Sequence, residues 1–251
     1  MSFTGRISIN EDLILQVSAT GNDTTGGLTN PFRQPQAAID WAIVNLDFRN
    51  VDKLVISVGT GDYSDTSILI LPNGVKAVYI QGQGVANTNI GSVYAHNLQT
   101  PIYMSNLTVR NATTSARNIM VDNATIWLDG SIRLTGGGVH AMNATCAGMI
   151  RGVSDALQLE INGNYAVGIR AAYCGHVDFY ANRITFTSAN FTSATVEAYC
   201  QAYIWMQGVT WAGSATGVRF RCTYNSTIIS PNSANIPGNV AGVTTNGGQV
   251  A

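Results

Sequence analysis

Three carboxylates, Glu160, Asp178 and Glu197, come nearest in this chain to a catalytic set and are almost evenly spaced along it. Two carboxyl groups about 5 Å apart suit glycoside hydrolysis with retention, and about 6.5–9.5 Å apart with inversion. In a fold that stacks one turn of chain on the next at about 4.8 Å, that spacing is close to one acid per turn. Adjacent turns would then hold them about 5 Å apart and alternate turns about 10 Å. The bland alternative is equally physical, because any charged residue on such a wall is forced outward and a few stack by chance. No acid–base pair stands out in a dry pocket of the kind that raises a carboxyl pKa. The expectation is no catalytic residue and no glycan hydrolysis, with each acid replaceable by its amide without loss of assembly. Lyase chemistry is weaker still: no Asp-x-Asp cluster is present, and Arg219 with Arg221, the close basic pair, count as binding or interface candidates.

Aromatic residues form the second group. In the run 195–206, Val196, Ala198, Cys200, Ala202, Ile204 and Met206 alternate with Thr195, Glu197, Tyr199, Gln201, Tyr203 and Trp205, the two-residue period of a strand with one buried face. Tyr199, Tyr203 and Trp205 then face outward, where large aromatics either stack on sugar rings or are covered by a neighbouring subunit; the interface is favoured. His96, His140 and His176 lack metal-ligand spacing, so neither metal nor cofactor is expected.

The elements that position these residues follow from composition and repetition. Of 251 residues, 45% are hydrophobic, but only 11% are charged, against about 25% in ordinary soluble domains. Asn, Thr, Ser and 26 Gly fill the gap, as in proteins with many short strands and turns. A net charge of −1, with Lys53 and Lys76 the lone lysines, excludes a nucleic-acid partner, whose phosphates demand basic residues. No apolar run reaches the roughly 18 residues of a membrane span, and the start lacks a basic n-region before an apolar stretch, so synthesis in the cytosol without a signal peptide is expected. Cys146, Cys174, Cys200 and Cys222 match no zinc or small-disulfide pattern and read as free, buried small hydrophobes.

Segments beginning at Asn106, Asn123, Asn143, Asn182, Gln207 and Asn225 share a polar residue followed by Thr beside an apolar residue. They suggest a period of about 17 to 25 residues, with Asn at corners that demand positive φ. AYCGHVDFYANRITF from Ala172 and AYCQAYIWMQGVTW from Ala198 align with a one-residue gap. Such units are too short for two helices and cannot bury an apolar face alone. The fold class that follows is all-β, a right-handed parallel β-helix, with coils over 51–229, a cap region over 1–50 and an extended arm over 230–251. Pro35 followed by Ala38, Trp41, Ala42 and Leu46 predicts an amphipathic helix over 35–46 covering the open end of the stack. VGTGDY and QGQG lack the strand-loop-helix context of nucleotide loops and read as turns.

The segments GNDTTGGLTNPFRQPQAAIDWA (21–42), VISVGTGDY (55–63) and VYIQGQG (78–84) resemble the entry of pectin-lyase-like β-helix proteins, especially bacteriophage tailspikes and related virion spikes. SANIPGNVAGVTTNGGQV (233–250) is similar to the tail ends of phage structural proteins. The resemblance implies a homotrimeric virion protein, often one that binds or cleaves host surface glycans. A β-helix starting near the N-terminus leaves no room for a separate attachment domain, and residues 222–251 carry no charged side chain. The expectation is therefore a non-enzymatic trimer at the virion surface that decorates or cements the capsid and contacts other virion proteins. The alternatives are a tail spike that binds host glycans and a glycan hydrolase.

Overall fold

The computed structural model describes residues 6–49, 51–111, 116–153 and 155–251. The chain is a parallel β-solenoid of about seven turns, with one short helix, as the alternating pattern anticipates. Three walls are built from in-register parallel strands. The first runs from Leu13–Val17 through Val51–Val58 and Val75–Gln81 to Tyr203–Trp205, Thr227–Ile229 and Gln249–Val250. The second begins at Gly61–Asp62 and Thr88–Ile90, and the third at Thr66–Ile68 and Val93–His96. Long strands such as Thr125–Thr145 and Arg183–Tyr199 bend through successive walls without leaving the ladder.

Coil length varies from turn to turn: Thr223 pairs with Thr245, Leu54 with Val78, and Ser131 with Gln158. The shorter expected period mixed two corners of one turn. Asn106 (φ 55°) sits between the first and second walls and Asn123 (φ 47°) between the third and first, so their separation along the chain is a fraction of a coil. Asn143 is a buried third-wall strand residue, and not a corner.

Inward columns form the core. Ile102, Ile126, Ile150, Val177, Ile204 and Ile228 succeed one another up the first wall, all fully buried. Burying each aliphatic side chain stabilises by about 1.5–3 kcal/mol, shared between the turns it touches. Val196, Ala198, Ala202, Ile204 and Met206 point inward as expected. Cys200 does not: it is half-exposed in a left-handed corner (φ 55°) with Gln201 (φ 60°). Thr195, expected outside, is buried, its hydroxyl donating to the Pro237 carbonyl at 2.6 Å. The cysteines are free, but only Cys222 is buried. Cys146 and Cys174 are exposed because they occupy the same corner as Cys200 in earlier turns.

Helix α1 (Pro35–Asn45) lies over the beginning of the stack, with Pro35, Ala38, Ile39 and Ala42 buried and Trp41 tilted against Phe32 at 5.8 Å. It also closes exposed backbone. Gln34 Oε1 accepts the Ser64 N–H at 2.9 Å and Gln36 Oε1 accepts the Ser67 N–H at 2.7 Å, so glutamine side chains replace the missing strand of a preceding turn. Parallel pairing already begins at Ile7–Ile9, in register with Leu46–Phe48, and the main stack at Leu13–Val17, both inside the expected cap region. The expected C-terminal arm folds back as a partial last turn, with Val243–Thr245 and Gln249–Val250 in register beneath the coils before them.

Candidate functional site

The first wall carries one outward column through six turns: Tyr79, Tyr103, Trp127, Arg151, Asp178 and Trp205. Strand spacing of about 4.8 Å lets neighbouring planar groups stack. Tyr79 and Tyr103 are 4.5 Å apart at 10°, Tyr103 and Trp127 5.8 Å apart at 9°, and the Arg151 guanidinium lies 4.8 Å from the Trp127 centroid. Arg151 Nε then meets Asp178 Oδ2 at 2.8 Å. Rings stacked face to face along the solenoid axis offer solvent only their edges, whereas a sugar packs on an open face. This ladder therefore ties turns together. None of Tyr79, Tyr103 and Trp127 stood out in the sequence, because their regular spacing is meaningful only once coil length is known.

The column ends in a cleft of about 240 Å³ lined by Arg151, Asp155, Asp178, Tyr180 and Trp205. Two of the residues singled out by sequence, Asp178 and Trp205, meet here. Trp205 is half-buried and its indole N–H donates to Gln207 Oε1 at 3.2 Å; Tyr180 is 62% exposed. An open aromatic face beside a carboxylate and a guanidinium can hold a small polar ligand with apolar faces.

Glu160, Asp178 and Glu197 are not brought together. They stand on the second, first and third walls respectively, since the stretch of chain between successive acids is shorter than one turn. Each is held by an arginine one turn back: Arg133 Nε to Glu160 Oε2 at 2.6 Å, Arg151 to Asp178 at 2.8 Å, and Arg170 Nε to Glu197 Oε2 at 2.7 Å. The geometry suits ion pairing between turns, and no two of these acids share a wall on which to flank a bond.

The remaining aromatic and basic candidates are spread out. Tyr199 makes edge contacts with Tyr173 at 5.5 Å and Tyr224 at 5.1 Å, and Arg170 lies 5.6 Å from its ring. Tyr203 packs edge-on with His176 at 4.9 Å. Arg219 donates to the Gly238 carbonyl at 3.2 Å and Arg221 to Ser193 Oγ at 2.9 Å, so both serve local closure. A second cleft, about 440 Å³, gathers Asp62, Asp65, Asn89 and Arg110. Its acids accept Asn89 Nδ2 at 2.9 Å and the Ser92 N–H at 2.7 Å, which gives them a structural task.

Buried titratable groups lie elsewhere. His140 is 6% exposed and accepts the Arg117 Nε–H at Nδ1, 3.0 Å away. Burial, with Arg170 and Arg117 nearby, pushes its pKa down to about 3, so the ring is neutral at physiological pH. Among the described residues no group of three His, Cys, Asp or Glu gathers to hold a metal ion, and no helix is long and apolar enough to cross a membrane. No protein-family model, curated protein or solved structure matches this chain.

Proposed function

We propose that this chain is a structural protein of a bacteriophage particle, a homotrimeric β-helix at the virion surface that decorates or cements the capsid and makes no covalent change to a substrate. The observation that carries the non-enzymatic part is the separation of Glu160, Asp178 and Glu197 onto three walls, each engaged by its own arginine. Support for the particle comes from the likeness of 21–42, 55–63 and 78–84 to virion spike proteins. A wall carrying half-buried Tyr203 and Trp205 and a low surface charge supports side-by-side packing, because aromatics are enriched and charges depleted at interface cores. Closed symmetry is the usual outcome for identical chains.

The test is light scattering on purified protein combined with imaging of particles labelled at this chain. Three chains, or a multiple of three, and label on the capsid support the reading; Trp205→Ala lowers trimer stability and particle incorporation. A monomer that enters particles normally with Trp205→Ala overturns it. The second reading, a spike that binds host surface glycan, is favoured by one feature, the open Trp205–Tyr180 cleft beside Arg151 and Asp178. Label at the tail, with glycan binding lost in Trp205→Ala, would select it.

A further inference from the structure

Three of the four cysteines share one corner. Between the third and first walls the chain turns on two left-handed residues in each of three successive turns: Cys146 and Ala147, then Tyr173 and Cys174, then Cys200 and Gln201, with φ between 49° and 62°. The third-wall register, Thr145 with Ala172 and Ala172 with Tyr199, stacks Cys146, Tyr173 and Cys200 in one column and Ala147, Cys174 and Gln201 in the next. Cys174 therefore stands one turn away from each of the other two thiols and one residue to the side. Cys146 and Cys200 are two turns apart, about 9.6 Å, beyond the roughly 7 Å that a disulfide spans between Cα atoms. Cys222 is fully buried, its Sγ within 3.2 Å of the Ser226 and Gln249 carbonyls, and takes no part.

Side-chain direction separates the two remaining pairs. Cys146 Sγ lies 3.6 Å from Thr145 Oγ1, within its own turn. Cys174 Sγ lies 3.8 Å from Gln201 Oε1, in the turn that carries Cys200, and the Cys174 N–H donates to the Cys200 carbonyl at 3.1 Å. One turn of about 4.8 Å and one residue of about 3.8 Å put their Cα atoms about 6 Å apart, the usual separation across a disulfide. Cys174 is exposed and Cys200 half-exposed, so an oxidant can reach the first and the second can resolve the product.

We propose that Cys174 and Cys200 form a reversible disulfide that staples two successive turns. The folded chain holds both as thiols, and the bridge forms when a small-molecule disulfide, such as oxidised glutathione, is supplied as oxidant. The Cys174 thiolate attacks one sulfur of that molecule, breaking its S–S bond and releasing one small thiol. The Cys200 thiolate then attacks Cys174 Sγ and releases the second. The two protons lost by the protein end on the released thiols, and the two electrons lost by its sulfurs reduce the small disulfide. The chain between the two cysteines is one coil, so the bond closes a ring otherwise held by strand pairing and core packing alone, and it restrains the unfolded chain. Such a bond is reduced in the cytosol and persists outside the cell, which suits a chain that leaves the compartment where it is made. A particle-surface location would supply that change; the bond itself does not rest on that reading.

Intact mass and peptide mapping of the full chain, first reduced and desalted and then held with oxidised glutathione, test it. The expected result is Cys174 joined to Cys200 with two hydrogens lost, Cys146 carrying glutathione and Cys222 unmodified. The bridged protein should unfold at higher urea, its unfolded fraction lowered about ten-fold or more, and reductant should reverse the gain. In Cys200→Ser, Cys174 should stop at the mixed disulfide. Glutathione left on Cys174 of the unmodified protein, a Cys146–Cys174 bond, a bond between chains, or a bridged chain no more stable than the reduced one each overturns the staple. All four are read from the unmodified protein, so a corner disturbed by Cys200→Ser does not blur the answer. Absence of the chain from phage particles would leave these masses unchanged, which keeps failure of that reading distinct from failure of this one.

Discussion

Arg170 Nε stands 2.7 Å from Glu197 Oε2 across two adjacent turns, with the side chains only 17% and 13% exposed. The pairs Arg133–Glu160 and Arg151–Asp178 repeat the same one-turn offset on the other two walls. Each wall thus holds an inter-turn pair of arginine and carboxylate, and the most buried of these three identifies where charge matters most to the fold.

Removing one partner of a buried pair strands the other, which costs more than the pair contributes. Glu197→Gln is expected to lower unfolding free energy by about 1–3 kcal/mol. Glu160→Gln, whose pair is 34% and 26% exposed, costs less, about 0–1 kcal/mol. Urea titration of both variants checks the order, and an equal or reversed effect contradicts it. Neither change abolishes assembly, and no oligosaccharide is released from host envelope material by the unmodified protein or either variant.

One corner is left-handed in seven successive turns, at Asn97, Asn123, Cys146, Tyr173, Cys200, Tyr224 and Asn246, with φ between 47° and 55°. Asn tolerates this conformation, whereas other side chains cost roughly 1–2 kcal/mol there. Asn123 Nδ2 also donates to Asn97 Oδ1 at 2.9 Å. Cys146 is next below Asn123 in this column, so Cys146→Asn is expected to stabilise by about 0.5–1 kcal/mol, while Asn123→Ala destabilises by about 1 kcal/mol. Thermal unfolding of the two variants should move in opposite directions.

Thiol reactivity reads the same corner. Cys146 and Cys174 are exposed and should react within the native protein, Cys200 more slowly, and Cys222 not until unfolding, since burial also raises its pKa. Alkylation followed by mass measurement gives four modified thiols after denaturation without reductant. Four equal native rates would contradict the burial.

His140 makes stability pH-dependent. Its folded pKa of about 3 lies below the ordinary 6.5, so the unfolded chain takes up the proton first. The stabilisation is complete above about pH 6.5 and falls as pH drops toward 3, by on the order of 3–5 kcal/mol in total. His176, lowered mainly by burial, adds a contribution of the same sign. Urea midpoints measured from pH 7.5 to 3.5 should decline in the unmodified protein and decline less in His140→Gln.

The Gly136–Gly163 contact sets a steric limit where the second wall bends. Gly163 has φ 131°, and a Cβ there would lie 2.1 Å from the Gly136 carbonyl oxygen. Gly163→Ala is therefore expected to destabilise by about 2 kcal/mol or more, whereas Gly84→Ala, whose nearest neighbour is 3.7 Å away, costs only its own positive φ. Denaturant unfolding of both separates crowding from backbone preference.

The two-residue alternation of 195–206, the low charge and the corner asparagines were enough to determine a parallel β-helix and the inward direction of Val196, Ala198 and Ile204, because period and burial are properties of consecutive residues. Helix α1 was legible for the same reason, through Pro35 and the apolar face after it. Coil length was not, since Asn106 and Asn123 mark different corners and nothing local says which corner a residue occupies. Everything that depends on coil length was left to the tertiary structure. It divided Glu160, Asp178 and Glu197 among three walls, gave each an arginine, lined up Tyr79, Tyr103 and Trp127, and exposed Cys146 and Cys174. Neighbours in a solenoid are a whole coil apart along the chain and about 4.8 Å apart in space, and a small drift in length at each corner is enough to move a side chain to another column.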